Sequence, residues 1–269
     1  MNVLRALTVG AFGITIFLAV LVEGVVVSRA DVEYLFRKPG RLVRTILAMN
    51  VVSPIVAIIV CRLFALHPAV IVALVTLSMT PVGALFPQGM LGLVRPERGA
   101  HAHGLFVATT LLSVVLTPLA IEVINVLYGE DLHLSPLTVA SVAVGALLLP
   151  LCIGLVIGRV VTSRPAAKRW VPAIQQASGR LFLLCLVGFA ILGWSRMALI
   201  IRDGTLPAIV IISMCGLAVG HLLGGPDEDD RTVLAFATVS RHPGVAIAIA
   251  ALPRVPLAPL AGLLAGFLN

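Results

Sequence analysis

Two short stretches of this sequence place charge-binding groups beside residues that break helices. One is Arg241-His242-Pro243-Gly244. The other is Thr80-Pro81-Val82-Gly83, followed closely by Phe86-Pro87. Proline removes a backbone donor and clashes with the preceding turn, so each stretch either interrupts a helix or kinks it. A half-helix restarting at Pro81 or Pro243 would present free N–H groups and a partial positive charge. With the Arg241 guanidinium added, this is chemistry for holding an anion. Arg241, His242, Thr80, Pro81, Gly83, Pro243 and Gly244 are therefore the candidate substrate-binding residues.

Arg241 lies about midway along an apolar run, 231–252, where a membrane placement costs roughly 2.5–3.5 kcal/mol. Two roles fit it. It is either a fixed cation in the substrate site, or an ion pair or carbonyl clamp that stabilises the unwound stretch. Glu23 and Glu122, the carboxylates within apolar runs, are its candidate partners. Histidine titrates near neutrality, so His242 is either a proton relay or a hydrogen-bonded core residue. Thr109, Thr110, Thr238 and Ser240 place hydroxyls near the breaks, with Ser78 and Thr80 beside them. With His242 and Glu122, the first four are candidates for ion or proton coupling, although hydroxyls also serve as packing glue between helices.

Other chemistries lack residues. There is no P-loop, no dinucleotide-binding glycine turn, no GxSxG and no zinc-binding histidine spacing, so no cofactor is expected and the chain does not read as an enzyme. His101 and His103 fall in an expected loop and make a poor metal signal. Cys61, Cys152, Cys185 and Cys215 are far apart in apolar runs and read as small buried hydrophobes.

The elements that position these residues follow from composition. Of 269 residues, 59% are hydrophobic and 12% charged, against about 25% charged in a soluble domain. The lipid bilayer is the natural solvent. The net charge of +7 sits in short loops between apolar runs, which argues against nucleic acid and for topology-setting charge. Runs long enough to span, at about 20 residues each, occur near 4–28, 42–64, 69–94, 103–128, 136–161, 174–200, 205–224 and 231–252, with a shorter ninth at 254–269. Placing the N-terminus outside puts 12 of the 19 basic residues in cytoplasmic loops, so the expected topology is N-out and C-in. Seventeen arginines against two lysines suggest a bacterial inner membrane.

The two breaks fall in spans three and eight. An odd offset of five reverses the sense of crossing, which is the signature of an inverted repeat. The expectation is one transmembrane domain, 1–269, an all-α membrane protein of about nine helices. Its halves would cover about 1–128 and 136–269, with two discontinuous helices crossing at the midplane.

The sequence resembles the bile acid:sodium symporter family along most of its length. Gly24-Val25-Val26-Val27-Ser28, Asp31 and Arg37-Lys38-Pro39 look like its first span and basic loop. Pro54 fits the next span, and Pro81 with Gly83 fits the first break. Thr109-Thr110-Leu111-Leu112 and Thr117-Pro118 fit its Ser-Thr-Leu-Leu and Thr-Pro positions. Gly244, Ala246, Ala248 and Ala250 fit the half-helix after the second break. The resemblance implies a nine-span transporter of an organic anion. It also locates the differences. Where the family coordinates sodium, this chain has Phe86 and Pro87 for Ser-Asn, Ala237 for Glu, Arg241 for Gln and His242 for Asn. Met49 stands for another Gln beside Asn50, itself a candidate substrate-binding residue. A hard cation needs several oxygen ligands, so the expected protein moves its anion either with a proton or with no coupling ion. A ligand sensor of the same fold, or a sodium symporter with atypical ligands, are the alternatives.

Overall fold

The computed structural model describes residues 3–90, 93, 99–128, 135–163, 169–201, 204–250 and 264. Lipid offers the backbone no hydrogen bonds, so apolar runs must satisfy their own N–H and C=O groups, and they do so as helices. The first eight expected runs are found as α1 (Val3–Val26), α3 (Pro39–Leu63), α4 (Pro68–Met79) with a short helix at Phe86–Met90, α6 (Gly99–Tyr128), α7 (136–162), α8 (Val171–Ile200), α9 (Thr205–Leu223), and α10 (Glu228–Val239) with α11 (Pro243–Ala250). We number the short Phe86–Met90 helix α5, and α2 is the segment Arg29–Phe36. Five of these helices are long and apolar enough to cross a membrane alone. The ninth expected run lies outside the described residues except for Leu264.

One difference from expectation follows α1. The chain turns by 93° into α2. Ser28 starts this helix with a capping box, accepting from the Asp31 N–H while Asp31 accepts from the Ser28 N–H. Its mean composition is polar, and Glu33 bonds both Arg29 and Arg37 along the exposed face. The Arg29 hydrogen bond in particular holds the Glu33 carboxyl below its ordinary range. A polar helix at right angles to a span suits the membrane surface.

The helices sort into two packed groups. In one, α1 packs against the second half of α7 and against α8. In the other, α3, α4, α9, α10 and α11 pack together, and α6 touches α4 and α10 of that group as well as the first half of α7. Close approach in the first group comes from glycine. Gly24 of α1 lies against Gly154, and Val25 against Gly158, a GxxxG pair on α7. A Cβ on Gly24 would sit 2.6 Å from the Leu151 carbonyl oxygen and 3.0 Å from Gly154 Cα. Both are backbone atoms and cannot swing aside. Gly24→Ala is therefore expected to cost about 1–3 kcal/mol, read as a lower thermal unfolding midpoint in detergent. Gly13→Ala, where nothing lies within 4 Å, is the neutral control.

Both α3 and α7 carry a π turn, at Leu47–Val52 and Val144–Leu148. Each precedes a proline, Pro54 or Pro150, in the first turn of the next α segment. A proline has no N–H to give, and the ladder loosens to skip it.

Candidate functional site: the helix crossing

Both interruptions are present, and they meet. Thr80 is extended because it precedes Pro81, which ends α4. At the second break α10 ends at Val239 and α11 starts at Pro243. The unwound segments pair as an antiparallel bridge, Val82 opposite Arg241. Gly83 N–H donates to the Ser240 carbonyl at 2.9 Å, and His242 N–H donates to the Pro81 carbonyl at 2.9 Å. Buried backbone groups must be paired, and here each break satisfies the other. Gly83 allows the approach: a Cβ there would stand 3.3 Å from the Arg241 carbonyl oxygen.

This corrects one expectation. No half-helix starts at Pro81. Helix resumes only at Phe86, and the donors of Gly83 and His242 are committed to the bridge. A second proline at 87 belongs in the first turn of a helix, where its missing N–H costs nothing, so the restart is delayed to that point.

Arg241 is 5% exposed, and its guanidinium is spent on carbonyl groups. Nε donates to the Thr238 oxygen at 2.8 Å, Nη1 to Thr80 at 3.0 Å and Nη2 to Met49 at 2.9 Å. Each acceptor is free for a local reason. Thr238 and Thr80 lie at the C-terminal ends of α10 and α4, where carbonyls lack helical donors. Met49 lies in the π turn of α3. Ser53 N–H, which would serve it in an α-helix, bonds Ala48 instead, and the next residue is Pro54. Two helix C-termini also present negative dipole ends to the guanidinium. The carbonyl-clamp geometry is thus what the structure contains. Neither Glu23 nor Glu122 pairs with Arg241 among the described residues. Glu122 is exposed on α6.

The other candidates distribute as follows. Thr238 donates its hydroxyl to the Gly216 and Ala235 carbonyls, each at 2.6 Å, tying α10 to α9. Thr109 bonds its own helix at Leu105 and Phe106. Thr110 is fully buried, and its hydroxyl finds no protein partner among the described residues. Thr80 Oγ1 bonds the Leu77 carbonyl, and Thr117 bonds that of Met79, closing the end of α4. His242 Nδ1 accepts from Val245 N–H at 3.4 Å, so the ring caps α11. Its ring meets Phe182 of α8 edge-on at 6.3 Å. Gly244 abuts Ile16 of α1. His242 and Gly244 therefore lie on the seam between the two helix groups. Asn50 is half-buried in the same π turn as Met49, and Ser240 is half-buried at the bridge. A cavity of about 10 Å³ adjoins Arg241, lined by Ser53, Leu74, Ser78, Thr238 and others. That is room for about one water. A hollow of about 550 Å³ lies instead over α2, lined by Arg29, Glu33, Tyr34, Arg37 and Lys38.

Two polar clusters went unseen in the sequence. His101 and His103 are not in a loop. They are buried in the first turns of α6, because carboxylates from other helices receive them. His101 Nδ1 lies 2.8 Å from Asp230 Oδ1, and Arg41 Nη2 lies 2.5 Å from Asp230 Oδ2. Arg41 also donates to the Tyr34 hydroxyl. Glu23, fully buried, accepts from Gln88 at 3.4 Å and from Gln175 at 3.3 Å, with His103 Nε2 at 3.9 Å. One signal was available: Glu23 is three residues from the end of α1, while His103 and Gln175 are each four from the start of α6 and α8. Alternating topology brings those ends to one side of the membrane.

Apolar helices, two of them broken and bridged at the break, define an integral membrane protein built around a helix crossing. Residues 13–200 match the sodium bile acid symporter family, and the chain belongs to that family of transporters. Among curated proteins none matches significantly.

Proposed function

We propose that this protein carries a small organic anion across the membrane without sodium, by alternating access between the two helix groups. The observation that supports it is the Arg241 clamp. Three backbone oxygens from three helices converge as they would on a hard cation, and a tethered guanidinium occupies them. By the family resemblance, Arg241 stands where a sodium ligand would be. Its charge is permanent, so the crossing stays cationic through the cycle with no ion to recruit. The anion would bind along the seam, at His242, Pro243, Gly244 and the neighbouring Asn50 and Ser240, once the groups part. Loop charge supports an N-out, C-in orientation in a bacterial inner membrane.

Uptake of labelled pantothenate and pyruvate into proteoliposomes, in sodium and in choline buffers, tests this. Uptake is expected to be equal in both. Strict dependence on sodium would overturn the reading.

A further inference from the structure

We propose that Glu23 and His103 form a proton-carrying pair that couples anion movement to a proton gradient; this rests on the sodium-free transport proposed above. Glu23 lies on α1, in one helix group, and is fully buried. Gln175 of α8, from the same group, donates to both carboxylate oxygens at 3.3 Å. Across the seam, Gln88 of α5 donates at 3.4 Å and His103 of α6 stands at 3.9 Å. The pair therefore joins α1 and α8 to α5 and α6, on the seam along which the proposed transport would open.

Among the described residues, the neighbours of Glu23 bring it no permanent countercharge. On α1 itself the other ionisable group is Arg5, some five turns away by sequence. Helix α6 brings His103, and α5 and α8 bring amides. Arg180 of α8 and Arg159 of α7 are exposed. Helix α7 meets this part of α1 through the backbone of Leu151, Gly154 and Gly158, and α11 reaches α1 at Ile16. The π turn of α7 and α11 hold no titratable residue.

An isolated carboxylate in a dry seam is too costly to persist. Two arrangements avoid it: a protonated carboxyl beside neutral imidazole, or a carboxylate beside imidazolium. Both hold one proton more than carboxylate and neutral imidazole together. When the seam opens to water, either group can be solvated as an ion and the proton leaves from the Glu23 carboxyl or the imidazole nitrogen to water. Closing the seam requires its return. One proton then travels with one monovalent anion, and the step is electroneutral. The two amides donate to the carboxylate while it is charged, and hold it in place.

The test has two arms on the full chain. Infrared difference spectra between pH 5 and 8, the histidine range, should show a protonated-carboxyl C=O band that titrates in wild type and is missing in Glu23→Gln. In sodium-free proteoliposomes, an inward proton gradient should drive pyruvate or pantothenate above equilibrium in wild type, and Glu23→Gln should lose that accumulation. His103→Gln, as second variant, should shift the pH profile of both signals, and unfolding midpoints of both variants report that they fold. A band unchanged in Glu23→Gln, or accumulation by that variant equal to wild type, overturns the proposal. If wild type moves neither probe, the transport reading fails, and the infrared arm still decides the pair.

Discussion

Arg241→Gln is expected to lower the unfolding midpoint in potassium or choline and to make it rise with added sodium, while wild type responds equally to all three. The guanidinium gives three separate N–H vectors to carbonyls on α3, α4 and α10. A glutamine amide has one NH₂ on a shorter stem and cannot reach all three. At least one carbonyl is stranded, and a buried polar group without a partner costs about 1–3 kcal/mol. The stranded oxygens then resemble a cation site, so sodium or water becomes their natural partner. Anion binding should weaken as well, by about tenfold if the lost charge contributes 1.4 kcal/mol. Differential scanning fluorimetry in the three salts reads the first effect, and equilibrium binding of pantothenate or pyruvate the second. A variant as stable as wild type, and as blind to sodium, would show that the clamp is idle. Arg241→Lys should recover little, because an ammonium is a point charge without the fork that spans three acceptors.

The second large effect is expected at Asp230. The acidic run Asp227–Asp230 does two structural jobs. Asp227 caps α10, accepting from the N–H groups of Asp229 and Asp230, and acidic residues suit a helix N-terminus. Asp230 turns inward and receives Arg41 of α3 and His101 of α6. The latch joins three elements at the base of the crossing, and Tyr34 extends it to α2. Asp230→Asn leaves the Arg41 guanidinium without its counterion and removes the carboxylate beside His101. Removing one partner of a buried pair costs about 3–5 kcal/mol. The lower end applies, because the Arg41 side chain is 25% exposed. Asp227→Asn keeps a capping oxygen and is expected to shift stability by less than about 0.5 kcal/mol. Comparing the two unfolding midpoints separates latch from cap. Equal losses would mean that the latch contributes nothing.

The class of the protein and its broken helices were readable because they depend on local rules. A run of apolar residues must be a helix in lipid, whatever its neighbours. A proline with a glycine close behind it, as at 81 and 83 or 243 and 244, marks a break, whereas Pro118 alone leaves α6 continuous. Hence the all-α class and both breaks agree with the structure, and the family resemblance agrees with the family match. Local rules also set the limits. The delayed restart at Phe86 depended on Gly83 and His242 finding each other. The histidines at 101 and 103 read as loop residues because their polarity ends an apolar run. They are helical because partners lie 129 and 80 residues away in sequence, at Asp230 and Glu23.

By itself, then, the sequence determined that the chain is an all-α membrane protein, where two of its helices break, and that a guanidinium lies at one break. Hydropathy and proline chemistry act within a few residues and need no partner. Only tertiary structure decided what the buried charges do. Arg241 faces carbonyls rather than a carboxylate because a π turn and two helix ends, distant in sequence, expose oxygens at one point in space. Glu23 meets His103 rather than Arg241 because packing of α1 along the glycines of α7 carries it to the starts of α6 and α8. Charge pairing at depth is a matter of which helix faces which, and that is settled by the packing of whole surfaces.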